Sequence, residues 1–502
     1  MNRLRYILLM CLLACGMTAG AQTCYEQVVR YNFWNTSQNI TGVRQDGWSC
    51  SYAEVLGEYE AGGFRDSWQA PKGWSAGAAT ASIRHLDRMT LKGSFSFMQT
   101  EGYDMCGSMF INPGYYPVDV LEFTPGRKTL QTYAFDGGIS YDLTKQWRIG
   151  AMMDFESANM AKRKDLRHSN WMLDMKVAPG VMYHNGDWAF GANYIYRRST
   201  ESVEAEQVGV AESSYYAFLD KGLMYGVYNI WTGSGLHLNE SGVKGLPVLE
   251  QSNGLAAQVQ YKDFFAEAEY LHSEGKIGEK EYVWFVFPGN SANLRMAYRR
   301  YADKAWHYAR LDFSWRGRTM DETVLEKVTE GGVNTVISHG QNKILAQNEW
   351  GLKPSYEYVA NQLELLAIAE IGVKEQAASQ MYPHLNWQSL MNYGADVQVK
   401  YRWSCFKLTA AIGYAAGKVV EESLITDGQT GVQTSPFRLQ EYYDWQTEYA
   451  TAARVKAGLA LRYNFWKGLY VQADAHLTHA FALKHIASPD RLTTSLRLGY
   501  DF

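Results

Sequence analysis

The sequence predicts an all-β fold: a transmembrane, antiparallel, up-and-down β-barrel of about eighteen strands, with sixteen as the alternative count. Three observations predict it. From Leu492 to Phe502 apolar and polar side chains alternate without a break, with Leu492, Leu496, Leu498, Tyr500 and Phe502 on one face and Arg491, Ser495, Arg497 and Asp501 on the other. That is the period of a strand with one greasy side and one wet side. Many earlier segments repeat it, and short connections alternate with long ones between them. Aromatic residues, 14% of the chain with 35 Tyr and 16 Trp, gather beside the short connections.

The chain opens with Arg3 and Arg5, an apolar run Tyr6–Ala14 and the small residues Ala19-Gly20-Ala21. This predicts a secretory signal peptide over 1–21 with Gln22 as the new N-terminus, the run being too short to span a membrane. A rival reading is a weak lipobox, Leu12-Leu13-Ala14-Cys15, with Cys15 as a lipid anchor. No later stretch reaches the ~20 apolar residues of a membrane helix. Mean hydropathy is −0.32, as expected where half the strand residues face lipid and half face water. A net charge of −4, without basic clusters, argues against nucleic acid as a partner.

Residues 22–50 are polar and aromatic (Tyr31, Phe33, Trp34, Trp48), and are read either as a small plug in the lumen or as a segment on the periplasmic rim. Strands are then expected at 51–61, 74–86, 89–101, 129–142, 146–160, 170–184, 187–202, 254–262 and 264–276. They continue at 291–301, 304–318, 343–356, 361–376, 389–402, 405–420, 451–465, 468–483 and 491–502. Asn185-Gly186 marks a hairpin, since both residues accept positive φ. The long connections, 102–128, 203–253, 277–290, 319–342 and 421–450, belong on the extracellular side. Tyr141, Trp147, Tyr183, Trp188, Tyr261, Phe264, Tyr401, Trp403, Tyr463 and Phe465 sit beside the short turns, as a girdle at the headgroup level would. In 203–253 the residues Tyr215, Tyr216, Phe218, Tyr225, Tyr228 and Trp231 are too aromatic for a free linker. That loop either packs on its neighbours or folds over the mouth.

Ionised side chains in such strands must point inward, because Arg or Lys facing lipid at the midplane costs about 2–4 kcal/mol. The candidate lumen-lining residues are Arg148, Asp154, Asp174, Lys176, Arg197, Arg310, Asp312, Glu364, Glu370, Asp396, Lys400, Arg402, Arg454, Lys456, Arg462, Asp474, His476 and Arg497. Lys400, Arg402, Arg454, Lys456, Arg462 and Arg497 form a basic sector, with Glu54, Glu58, Glu267, Glu269, Glu364 and Glu370 as acidic counterparts. The set reads equally as a transverse field that orients polar solutes and as cross-strand ion pairs that hold the wall. Asp474 and His476 share a face, with Ser495 on the next strand, yet no Gly-x-Ser-x-Gly elbow accompanies them and no catalytic role is assigned. No spacing suits a metal, and no cofactor is implied. Cys24 and Cys50 flank the segment before the first strand and are a candidate disulfide, whereas Cys106 and Cys405 belong at opposite ends of the barrel.

The leader, the strand pattern and the terminal Tyr500-Asp501-Phe502 resemble outer-membrane β-barrels of Bacteroidetes-type bacteria, and in particular a family of unknown function, DUF6850. The resemblance implies a location in the bacterial outer membrane, surrounded by its lipid, with Tyr500 and Phe502 as part of the signal read by the barrel-insertion machinery. It implies no activity. The polar inner face and the absence of catalytic motifs lead to the expectation of a channel that passes a small polar solute or nutrient. The alternative is a plugged barrel that serves as a binding or scaffold subunit beside another outer-membrane transporter or a surface lipoprotein.

Overall fold

The computed structural model describes residues 25–45, 47–206, 217–223, 228–231, 243–279, 282–330, 333–381, 384–424 and 439–502. The expected leader and Cys24 lie outside them. The strands are β1 (Cys50–Gly62), β2 (Lys72–His85), β3 (Met89–Ser108), β4 (Asp119–Asp142), β5 (Trp147–Lys162), β6 (Arg167–Asn185), β7 (Trp188–Glu206), β8 (Ala217–Asp220), β9 (Tyr228–Trp231) and β10 (Val243–Tyr261). They continue as β11 (Phe264–Glu279), β12 (Tyr282–Ala302), β13 (Ala305–Glu330), β14 (Val333–Val359), β15 (Leu363–Met381), β16 (His384–Trp403), β17 (Phe406–Ser423), β18 (Arg454–Trp466), β19 (Leu469–Ala480) and β20 (Asp490–Asp501). Two helices, α1 (Tyr25–Tyr31) and α2 (Leu439–Thr451), and two 3-10 turns, Phe33–Thr36 and Ile40–Gln45, complete the fold.

Among the described residues eighteen of these strands pair antiparallel with their neighbours in a continuous wall, and β20 returns to β1 with Tyr52 opposite Asp501. The short β8 and β9 stand off the wall, β8 pairing with the upper end of β4. The turns at one end are tight. Gly186 takes φ +58° in the two-residue loop Gly186-Asp187, one position beyond the Asn185-Gly186 pair that marks it in the sequence. Asp303 and Lys304 are both left-handed, as a two-residue hairpin with matching twist requires.

One face of every wall strand is oily. Val55, Phe95, Phe135, Val397, Leu459, Leu496 and Leu498 are exposed on the outside, and the residues between such positions, among them Glu54, Ser94, Asp136, Asp396, Gln398, Ser495 and Arg497, point in. Tyr141, Trp147, Trp188, Tyr261, Tyr298, Tyr401, Trp403 and Phe502 ring the tight-turn end, while Tyr59, Tyr133, Tyr270, Trp350, Tyr393 and Tyr414 form a second ring above. Along β16, from Tyr393 to Tyr401 and Trp403, the two rings are about nine residues apart, or roughly 23 Å at ~3.3 Å per residue and ~40° of tilt. A closed antiparallel wall with an apolar band of that height between aromatic girdles is the construction of an outer-membrane barrel, and that membrane is where the protein sits.

Several strands run well past the upper ring. The expected loops 277–290 and 319–342 and much of 102–128 and 203–253 are strand, with β13 and β14 paired from Trp306–Val359 up to Glu330–Val333. Above the bilayer the outer face meets water, so both faces turn polar and the alternation fades, while the backbone ladder continues. The cysteines lie at both ends of the wall. Cys405, in the turn between β16 and β17, is disulfide-bonded and Cys106 at the top of β3 keeps a thiol. Cys50 is buried with Val28, Ile40, Val43 and Ile83, and the expected Cys24–Cys50 bridge involves a residue outside the described ones.

The sidedness is testable within one strand. Val397 is 46% exposed on the outer face of β16 and Gln398 faces in. Val397→Arg should lower folding stability in vesicles by about 2–4 kcal/mol, and Gln398→Arg should change it little. Equal effects in urea titrations would contradict the assigned faces.

Candidate functional site

The lumen is filled from both ends. The lower filling is the segment 25–45. Helix α1 has seven residues, too few to stand alone, and is held by what it touches. Asn32 organises the fold locally: its Oδ1 accepts from the Trp34 N–H (3.1 Å), and its amide donates to the carbonyls of Gly42 (3.2 Å) and Val43 (3.1 Å). Gly42 lies against the Trp34 indole with no room for a Cβ. Trp34 packs on Met182, Phe265 and Ala297 and donates to Gln260 (2.5 Å).

Charged wall residues fix this segment. Arg30 lies between Glu357 (3.0 Å) and Glu364 (3.2 Å), and Arg402 also reaches Glu364 (3.4 Å). Arg44 pairs with Asp142 (2.5 Å), which Arg148 also holds (2.9 Å). Glu26 meets Lys407 (3.4 Å). Lys92 donates to the Asn35 carbonyl (2.6 Å), Arg295 to that of Thr36 and Arg299 to that of Tyr31, while Ser37 donates to Glu267. Among the described residues no ladder joins 25–45 to the wall: side chains do the docking.

The upper filling is different in kind. Residues 109–118, the segment 217–223 and α2 bring Met109, Phe110, Val118, Phe218, Leu219 and Tyr443 against Phe285, Phe287, Met320 and Leu345 of the tall strands. Tyr442 stacks on Phe123 with ring centres 4.0 Å apart. A buried ion pair, Lys162 to Glu122 (2.5 Å), with Lys128 at 3.8 Å, lies beneath. Tyr115 hangs into the lumen, where Arg197 (5.6 Å) and Arg316 (5.1 Å) face its ring and Arg318 bonds its carbonyl (2.5 Å). The aromatic part of 203–253 that is described, around Phe218, thus packs into the mouth.

Between the fillings lies a chamber of about 510 Å³. Gln38 of the lower segment lines it, as do Asn112 and Tyr115 of the upper one. Its walls, on β3 to β7 and β11, carry Asp136, Asp154, Glu156, Asp174 and Glu269 with Lys176 and Arg197. Lys176 pairs with Asp154 and donates to Gln38 (2.9 Å). Arg197 forks onto Asp174 through Nε (3.0 Å) and Nη2 (2.7 Å).

The register places the sequence-predicted residues as follows. Asp154, Lys176 and Arg197 face each other across β5, β6 and β7. Arg310 and Arg295 share Asp312 (2.6 and 3.1 Å). Glu364, Glu370, Asp396, Lys400 and Arg402 share the inner face of β15 and β16. Arg454 donates to the Tyr449 carbonyl (2.9 Å) at the base of α2, and Lys456 lies below it on the inner face. Arg462 pairs with Asp501 and covers the Tyr470 ring at 3.5 Å. Arg497 stands 3.8 Å from Glu54 and 3.7 Å from Asp474. Ser495 donates to Asp474 (2.9 Å), and among the described residues no hydrogen bond joins His476 to either, so the three do not form a relay. The basic sector is therefore broken into local pairs. Sequence reasoning missed Glu26, Arg30 and Arg44, which lie in a segment without periodicity, and Tyr115, which nothing in its neighbourhood distinguishes. Tyr500 and Phe502 are on the outer face, stacked with ring centres 5.5 Å apart. Among the described residues no three His, Cys, Asp or Glu side chains are grouped to hold a metal.

A family model matches residues 42–502. The chain belongs to DUF6850, a family of unknown function. No curated protein matches it. Among solved structures this DUF6850 barrel is similar to BauA, the ferric preacinetobactin receptor of Acinetobacter baumannii (9% identity, 91% of this chain and 80% of that one, TM-score 0.41). It is also similar to the FrpB iron transporter of Neisseria meningitidis (9%, 91% and 81%, 0.44) and to the outer membrane protein opdK of Pseudomonas aeruginosa (6%, 91% and 99%, 0.35). At such identities and scores no function passes from them to the DUF6850 chain.

Two outcomes follow from the fillings. Arg30→Ala leaves Glu357 and Glu364 facing each other without their shared cation, and should cost the docked segment about 3 kcal/mol. Limited proteolysis of 25–45 should accelerate; unchanged cleavage would mean that apolar packing alone seats it. In the upper filling, burial pushes the Asp220 carboxyl up to about 7, and Asp119 stands opposite it in the ladder. A carboxyl raised in the folded state favours its protonated form there, so this corner loosens as pH rises from about 4 to about 7. Hydrogen exchange over 217–223 should quicken across that window, and Asp220→Asn should weaken the dependence, with Asp119, which burial also pushes up, supplying the rest. A flat profile in the parent protein would refute the assignment.

Proposed function

We propose that this barrel passes a small polar solute across the outer membrane by a gated route, with segment 25–45 as the gate. One observation carries the reading: a polar chamber lies between two fillings, and the lower filling is held by side chains without a strand shared with the wall. The segment can leave without breaking the ladder, and the carboxylates it uncovers, Glu267, Glu357 and Glu364, are groups that water solvates well. In the resting state the lumen is occupied, so unhindered diffusion is not the proposed mode. Passage is favoured over catalysis because Ser495 bonds Asp474 while, among the described residues, no hydrogen bond joins His476 to either.

Closure at both ends favours a second reading, a plugged scaffold that works beside another outer-membrane transporter or a surface lipoprotein. Above the bilayer β13 and β14 present Val324 (42% exposed) and Ile337 (43%) to water. Conductance separates the two. In planar bilayers the parent barrel should be closed most of the time, and deletion of 25–45 should raise single-channel conductance severalfold. A folded deletion variant that stays silent would remove the gated-channel reading, and recovery of a stable partner from mild detergent would then support the scaffold.

A further inference from the structure

The chamber's charges are unequally used, and that points to what it holds. Both of its cations are occupied. Arg197 spends its fork on Asp174 and is covered by the Tyr115 ring, and Lys176 serves Asp154 and Gln38. Lys92, the neighbouring ammonium, is directed to the Asn35 carbonyl. The carboxylates are not occupied to the same degree. Glu156 makes no side-chain hydrogen bond or ion pair among the described residues, although it faces the cavity. Glu269 is only 8% exposed; one oxygen accepts from Asn293 (2.7 Å) and the other takes no hydrogen bond among the described residues. Asp136 accepts only from Ser94.

What remains is a polar cavity in which five carboxylates face two cations, and both cations are already engaged. An anion would meet these carboxylates at close range in a low-dielectric wall and be repelled. A neutral sugar brings donors and acceptors in equal measure and would leave its own acceptors unmatched. An ammonium or guanidinium brings donors and the opposite charge. We infer that the chamber is a binding site for a small organic cation bearing one or more amino groups, with Glu156 and Glu269 as its principal acceptors. The inference deepens the passage reading by naming the class of solute. The volume, about 510 Å³, suits a polyamine or an amino sugar.

The test is equilibrium binding to the detergent-solubilised full chain by calorimetry, with spermidine as the probe and citrate and xylitol as comparisons at one ionic strength. Spermidine should bind and the other two should not. Glu156→Gln combined with Glu269→Gln should weaken spermidine by about tenfold or more. Glu58→Gln, a carboxyl variant of the inner face outside the chamber, should leave it unchanged. Heat-modifiable gel mobility verifies that each variant is folded. Citrate or xylitol binding as well as spermidine, an unaffected double variant, or no spermidine binding by the folded parent would each overturn the inference. Conductance of the barrel lacking 25–45 is a separate readout: current without spermidine binding removes the solute class and keeps the passage, whereas binding without current does the reverse.

Discussion

The rest of this structure depends on a wall without an edge. In hydrocarbon each unpaired backbone N–H or C=O costs several kcal/mol, so strands can span a membrane only if the first meets the last. Here the Ser51 N–H donates to the Phe502 carbonyl at 2.8 Å and the Phe502 N–H donates back at 2.9 Å. Closure at eighteen strands then has a consequence of its own. A ring of that girth leaves a lumen too wide for its own side chains to fill. Its inner face must be wet or must be covered by something else, and both solutions are used at different heights.

The two coverings obey different physics. The upper one buries Phe218, Phe285 and Phe287 almost completely. Exposing each such ring costs about 1.5–3 kcal/mol, so the upper filling resists removal. The lower one is docked by Arg30, Arg44, Arg295 and Arg299 and by carboxylates that water would also satisfy. Buried ion pairs add little net stability because much of their attraction offsets desolvation, but they fix one geometry among many. A segment held in this way is well placed, and its release must also expose Trp34, Val28 and Val43, which are packed on the wall. The asymmetry is what supports the proposal of a gate in segment 25–45.

The fold was legible because a bilayer imposes a period of two on every strand that crosses it. Val397, Val399 and Tyr401 against Asp396, Gln398 and Lys400 can belong to nothing else. Legibility ends where the bilayer ends. The upper parts of β13 and β14, over 319–342, face water outside and protein inside, and their sequence reads as loop although the ladder continues. The fillings were less legible still. Val28 and Trp34 are buried because the wall supplies Ile83 and Phe265, which are distant in sequence, and no local pattern encodes such a meeting.

Sidedness alone also misjudges the field inside the lumen. Six cations of β16, β18 and β20 suggest a basic sector, but register decides what each one meets. Arg402 shares Glu364 with Arg30, Arg462 finds Asp501, and Arg497 stands between Glu54 and Asp474. Paired charges cancel at a distance, so the field a solute feels comes from those left over. On β15 to β18 the remainder is mixed, Lys400 and Lys456 beside Glu370 and Asp396, none of them in an ion pair among the described residues. On β4 to β12 the remainder is acidic, since Lys176, Arg197 and Arg295 are all engaged by wall carboxylates. The lumen is therefore polarised toward the chamber side by subtraction, and a cation entering between the fillings is drawn to Glu156 and Glu269 although the inner face as a whole holds both signs in quantity.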